Sequence, residues 1–338
     1  MYQLISKYRG QIMGAASVMI VLLHFVVELY PDLHISGISA ILGRGNIGVD
    51  MFLLVSGMGL WFSMSKDSDA ISFWKKRIHR VLIPALVLTF PYWLWYDLYL
   101  QKEGIVRFCL DWTGLSFWTH GVAKVWYVSL ILVCYLLYPL VFQIQKKNRN
   151  LLIGTIAILI AVFSSLAAML PDIYERYEIA LTRIPVFLIG SYLGEYIQNK
   201  QAAPKSSKVV LNSYTLLSIM AFAASVVVNS RNHMLSVMLY RYGSAGIGIL
   251  ICFAVCLLFE KIPLKLLSGF LKYLGAVSLE LYLIHVMIRN VVAESPIRDV
   301  TALGMRIAVI GCFILVSLAV TWLVCTVKSR LEKTRNPQ

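Results

Sequence analysis

Ten stretches of roughly twenty residues, almost free of charge, recur along this chain of 338 residues. They run over 11–29, 45–64, 81–100, 125–143, 151–170, 181–198, 209–228, 240–259, 274–293 and 305–327. A helix needs about 20 apolar residues to cross a bilayer. The pattern therefore predicts an all-α polytopic membrane protein with about ten transmembrane helices. The longest gap, about 101–124, leaves no room for a separate soluble domain, so one transmembrane domain over 1–338 is expected. Composition agrees. Hydrophobic residues make up 59% and charged residues 14%, against about 45–50% and about 25% in soluble domains. That balance excludes a disordered chain and argues against a soluble globular enzyme.

The net charge of +14 has two readings. In a soluble protein it would point to nucleic acid; in a membrane protein it follows from topology. With the N-terminus inside, the inner segments carry Lys7 and Arg9, then Lys66 to Arg80, Lys146 to Arg149, Lys200 to Lys208, Lys261 to Lys272, and the tail from Lys328 to Arg335. They hold 20 of the 31 lysines and arginines, while Asp172, Glu175 and Glu178 fall outside. The bias predicts both termini cytoplasmic, a multi-pass protein of a cell membrane, and no nucleic-acid partner. The first span is not read as a signal peptide, because no small-residue cleavage pattern follows it. The segment 105–118 reads equally as a loop or as an interfacial helix with Trp112 and Trp118 at headgroup level. Only Cys109 lies in an outer loop, so no extracellular disulfide is expected. Cys252 and Cys256, four apart, fit helix packing better than a metal site, and no metal ligands are assigned.

Ionisable groups inside spans cost about 2.5–3.5 kcal/mol each on insertion scales and mark functional positions. His24 stands alone in VLLHFVV, either as a structural histidine bonded to another helix or as a functional one. Asp50, in GNIGVDMFLL, is read at the same depth as His24, where a carboxylate would orient and polarise the imidazole. His285 lies in ELYLIHVMI, with Glu280 about 7.5 Å deeper along the helix. Arg183 opens LTRIPVFLIG; alone it reads as an interface residue with a snorkelling side chain. On the inner side, Lys76, Arg77 and Arg80 in KKRIHRVLIP can bind phosphates, although the positive-inside rule predicts the same charges.

These motifs resemble the membrane-bound acyltransferase 3 family over nearly the whole chain. MGAASVMIVLLH resembles its first span, which ends in an isolated histidine. NIGVDMFLLVSGMGLWFS resembles its Gly-Val-Asp-x-Phe-Phe-x-x-Ser-Gly stretch, and FWKKRIHRVLIP its basic lead into the third span. VWYVSLILVCYLLYPL, which contains Trp126, resembles its fourth span, and RIPVFLIGSYLG and VSLELYLIH its later motifs. The resemblance implies acyl-CoA, acetyl-CoA first, as a cytoplasmic donor substrate with no bound cofactor. It implies transfer of the acyl group to a hydroxyl of an extracytoplasmic polysaccharide or lipid-linked glycan, in a bacterial plasma membrane, with glycan-assembly proteins as further partners. His24 and Asp50 fall on the family's catalytic positions, and Lys76, Arg77 and Arg80 on its donor side. Arg183, His285, Glu280 and Trp126 fall on acceptor or accessory positions. One departure stands out: the family's arginine, eleven positions before the histidine, is Met13 here, with Arg9 one turn earlier. The family's fused extracytoplasmic hydrolase-like domain is not expected in this sequence, so the second transfer step of such proteins would need another protein or does not occur. Two rival classes share these features. One is a transporter or flippase of a sugar or lipid-linked glycan; the other is a non-catalytic subunit of a polysaccharide export complex.

Overall fold

The computed structural model describes residues 1–33, 37–199, 205–228 and 232–335, with side chains as far as Arg330. Lys200 and the side chains of Lys333 and Arg335, counted above among the inner charges, lie outside that description. A segment inside a bilayer must close its own backbone hydrogen bonds. The described residues are accordingly almost all helical and include no strand. The principal helices are α1 (Arg9–Leu22), α2 (Ile47–Lys66), α3 (Ile83–Trp93), α4 (Trp126–Lys147), α5 (Arg149–Met169), α6 (Ile184–Gln198), α7 (Lys205–Val228), α8 (His233–Lys261), α9 (Lys265–Ala276), α10 (Ser278–Ala293) and α11 (Leu303–Arg335). The segment 105–118 is helical rather than a loop, in two pieces, Ile105–Trp112 and Leu115–His120.

Eight helical segments of the described residues are long and apolar enough to cross a membrane, and a ninth if α9 and α10, bent by 75°, count as one. The remaining stretch expected to span, 181–198, is α6, and it has only 15 residues. At 1.5 Å per residue that is about 22 Å, short of a hydrocarbon core of about 30 Å. Pro185 in its first turn fixes where it begins, since proline suits the start of a helix and not its interior. A short helix is tolerable here because α6 is buried from Pro185 to Glu195. Protein, not lipid, surrounds it.

At the centre of the bundle is α2, which packs on α6, α1 and α8. Its most apolar stretch is 78% buried, against 17% for α11 at the periphery. Lipid gives no hydrophobic drive between helices, so close packing relies on small residues. A side chain at Gly190 of α6 would meet the backbone of Leu54, and one at Gly57 of α2 the backbone of Phe187. α9 lies along α1, and α7 along α8. Outward-facing Ile158, Val162, Leu216, Val226, Leu315 and Leu323 are exposed. Such a surface would be a liability in water; in a bilayer it is the solvated face.

Polar contacts close the bundle at both ends. Near the N-terminus, Lys7 pairs with Glu260 at 2.6 Å, Tyr2 donates to Asn212 at 3.0 Å and Trp61 to Gln198 at 2.6 Å. At the far end, Arg306 pairs with Asp32 at 2.8 Å and Arg289 with Glu28. Three π-helical turns interrupt the ladders at Leu23–Glu28, Ile78–Leu82 and Leu94–Leu100. In the first, the Leu29 N–H donates to the His24 carbonyl, five residues back, at 3.2 Å. Such turns re-aim side chains and recur at functional sites. These hold His24, Arg80 and Asp97.

Candidate active site

His24 meets His285, not Asp50. The first π-helical turn and α10 bring His24 Nδ1 within 2.8 Å of His285 Nε2, with the rings stacked at 5.0 Å between centroids. His285 Nδ1 lies 2.7 Å from the Leu281 carbonyl, one turn earlier in α10. Phe25 and Tyr282 close edge-on around His285, which is 1% exposed. On its other side His24 Nε2 looks towards the far end of the bundle, 3.7 Å from Glu28 Oε1. Glu28 is itself held by Arg289.

The separation of His24 from Asp50 follows from helix register. Gly45 packs on Met19 and Leu23, and Gly48 on Ala16 and Ile20. Continuing the antiparallel register places Asp50 level with Ala16, eight residues from His24, or about 12 Å along the axis. The sequence reading put the two at one depth because it began the second span at residue 45. The second crossing segment in fact begins at Ile38.

Asp50 instead belongs to an ion pair in the interior. Arg183 Nε lies 3.5 Å from Asp50 Oδ1, and each side chain is 1% exposed. Both Asp50 oxygens lack a hydrogen-bond donor. Arg183 is no snorkelling residue: it donates to the carbonyls of Ile179 at 2.6 Å and Asn46 at 3.5 Å, and its guanidinium lies 5.2 Å from the Trp126 ring centre. Trp126 therefore sits with Asp50 and Arg183. Glu280 faces away from His285 and binds Lys328 at 3.0 Å. Five residues along a helix turn through about 500°, which sets the two side chains on different faces. Arg9 is exposed at the start of α1, about 22 Å along the helix from His24.

The basic residues gather at the N-terminal end. Arg77 donates to Ser63 at 3.0 Å, between the rings of Phe73 and Tyr135. Lys76 binds Asp67 at 2.8 Å, and Arg80 is exposed. Hydrogen bonds from Lys76, Ser72 and the Asp69 backbone hold the Asp67 carboxyl down, from an ordinary 3.8 to about 2. By the same register, Ser63 and His24 stand about 30 Å apart along the bundle, close to the thickness of a hydrocarbon core. A cavity of about 500 Å³ opens at this end too, lined by Tyr2, Tyr196, Phe253, Lys208 and Asn212.

Several polar groups escaped the sequence reading. Glu28 and Arg289 flank the histidine pair, and their signal was present: each lies four residues after a histidine, so it shares that histidine's helix face. Arg241 holds Glu178 through two bonds of 2.7 and 2.8 Å. Asp97, Glu103 and Asp111 bring carboxylate oxygens within 4.8 Å of one another. Arg107 binds Glu103 at 3.1 Å and Asp111 at 2.7 Å. Glu103, Arg107 and Asp111 follow the same four-residue spacing, whereas no periodicity ties Asp97 to them or Arg241 to Glu178.

The chain matches no curated protein and no solved structure. A family model for an acyltransferase domain, that of the acyltransferase 3 family, matches residues 14–326, which include the histidine pair, the Asp50–Arg183 pair and the basic helix. The chain belongs to the acyltransferase 3 family, as a multi-pass membrane protein whose domain transfers acyl groups.

Proposed function

We propose that this protein moves an acetyl group from cytoplasmic acetyl-CoA to a hydroxyl of a polysaccharide or lipid-linked glycan on the other side of a bacterial plasma membrane. The observation that carries the reading is the placement of His24. Its Nε2 faces the far end of the bundle beside exposed Glu28, about 30 Å from the basic residues at the N-terminal end. With both termini cytoplasmic, Lys76, Arg77 and Arg80 hold the donor's phosphates, since guanidinium and ammonium groups form charge-assisted bonds to phosphate oxygens. The donor's flexible arm threads between the helices towards His24. There Nε2 takes the acceptor's hydroxyl proton as the oxygen bonds to the thioester carbonyl carbon. The C–S bond then breaks, and the departing thiolate recovers the proton from Nε2. General base catalysis of this kind contributes about 10²–10⁴-fold. Asp50 acts at a distance from this step, by holding Arg183 and through it the start of α6 in place.

The test is purified protein in nanodiscs with labelled acetyl-CoA. Transfer or slow hydrolysis of the thioester, lost in His24→Ala at equal yield, is the expected result. Arg80→Ala is expected to raise the apparent KM for acetyl-CoA with a smaller effect on kcat. CoA-independent flux of a glycan into liposomes, with no thioester chemistry, would put a carrier in place of the enzyme.

A further inference from the structure

A histidine can serve as general base at only one ring nitrogen at a time, and the hydrogen bond at the other nitrogen decides which. The proton positions around His24 follow from its partners. The Leu281 carbonyl can only accept, so His285 Nδ1, 2.7 Å away, carries a hydrogen and donates it. His285 is 1% exposed, and the groups packed on it are the rings of Phe25, Tyr282 and His24. A charged imidazole there would be buried without a counter-ion, so the ring is neutral and its Nε2 holds a lone pair. That lone pair lies 2.8 Å from His24 Nδ1, which must therefore be the donor. On the other side Glu28 is already neutralised by Arg289 and its Oε1 stands 3.7 Å from Nε2, beyond a hydrogen bond, so no partner holds a proton there and the free lone pair of His24 is on Nε2.

We propose that His285 is the positioning residue of this site: by accepting from Nδ1 it locks His24 in the tautomer whose Nε2 is an unprotonated base aimed at the far end of the bundle. The role is the one a buried carboxylate fills in a serine-hydrolase triad, where the wrong histidine tautomer costs up to about 10⁴ in kcat. Here a neutral imidazole fills it, anchored in turn on a main-chain carbonyl. The direction of the relay also fits the acceptor. Nε2 and Glu28 Oε1 stand 3.7 Å apart, too far to bond to one another, so Nε2 is left to accept the single hydrogen of an incoming hydroxyl. The inference rests on the proposed function for its catalytic meaning, but the tautomer itself does not.

The experiment pairs kinetics with ¹⁵N NMR of the histidine-labelled protein in detergent. The His24 signal is assigned by its loss in His24→Gln. The wild-type spectrum should show His24 protonated at Nδ1. In His285→Leu that preference should vanish, and kcat for transfer from acetyl-CoA should fall about 10²-fold or more while the donor KM stays within about twofold. His285→Gln keeps a carbonyl oxygen able to accept from Nδ1, and should recover at least tenfold over His285→Leu. Protonation of wild-type His24 at Nε2, an undiminished kcat in His285→Leu, or a glutamine variant no better than leucine would each overturn the assignment. If the wild type moves no acyl group while its His24 tautomer still depends on His285, the proposed function fails and the pairing stands.

Discussion

Leucine at Arg183 should be more damaging than leucine at Arg183 and Asp50 together. Arg183 Nε stands 3.5 Å from Asp50 Oδ1, and both side chains are almost wholly buried. At an effective dielectric constant of about 20 this is an attraction of about 5 kcal/mol before desolvation is counted. Removing Arg183 strands the carboxylate, whose two oxygens have no hydrogen-bond donor to fall back on. The other cation of this region, Arg241, is held in a two-bond pair by Glu178. Breaking a buried pair from one side costs about 3–5 kcal/mol, whereas replacing both partners by apolar residues is often close to neutral. The double variant also loses the Ile179 bond and the Trp126 contact, about 1–2 kcal/mol together. The assay is unfolding of the purified protein in mixed micelles on titration with SDS, completed as a double-mutant cycle. The expected order of stability is wild type, then Asp50→Leu/Arg183→Leu, then Arg183→Leu. A double variant whose loss equals the sum of the single losses would show that the two groups do not interact.

Other predictions follow from single contacts. Asp67 has a folded-state pKa of about 2, below its ordinary value, so its pairing with Lys76 is complete above about pH 4 and is lost only as pH falls through about 2. In the proposed donor site it would compete at neutral pH with phosphate for Lys76, so Asp67→Ala should lower the KM for acetyl-CoA several-fold at low salt; an unchanged KM would remove Lys76 from that site. Glu28→Gln gives this position an amide N–H able to cap His24 Nε2, so kcat should fall about tenfold or more with the donor KM unaltered. A variant as fast as the wild type would show that Nε2 is not the base. Gly190→Leu would force α6 off the Leu54 backbone. Overpacking costs about 1–3 kcal/mol and more where backbone blocks the way, so the yield of monodisperse protein in detergent should collapse, and normal yield would contradict the packing of α2 on α6.

Apolar length made most of the fold legible, because a bilayer demands it of every crossing segment. Length alone misplaced three features. α6 stops short because it lies within protein. The stretch 274–293 is only the second limb of a bent pair, since the chain turns by 75° between Ala276 and Ser278. The second crossing segment begins at Ile38, several residues before the apolar block was recognised. That last offset is what parted His24 from Asp50. Hydropathy marks His24, Asp50, Arg183 and His285 as costly residues, and so as candidates, but it carries no azimuth around a helix. The pairings depend on which helix faces which, and those choices are made by close backbone contacts such as Gly45 and Gly48 on α1. Glu28 and Arg289 were the recoverable part, because the i, i+4 rule ties each to a histidine already singled out.

In the proposed reaction His24 carries out acyl transfer to a glycan across the membrane. Mass analysis of envelope glycans tests it most directly, in cells lacking the protein, cells carrying it and cells carrying His24→Ala at matched membrane levels. The expected result is a gain of one acetyl mass per modified sugar with the wild type, and no gain with His24→Ala. An equal gain with both would contradict it.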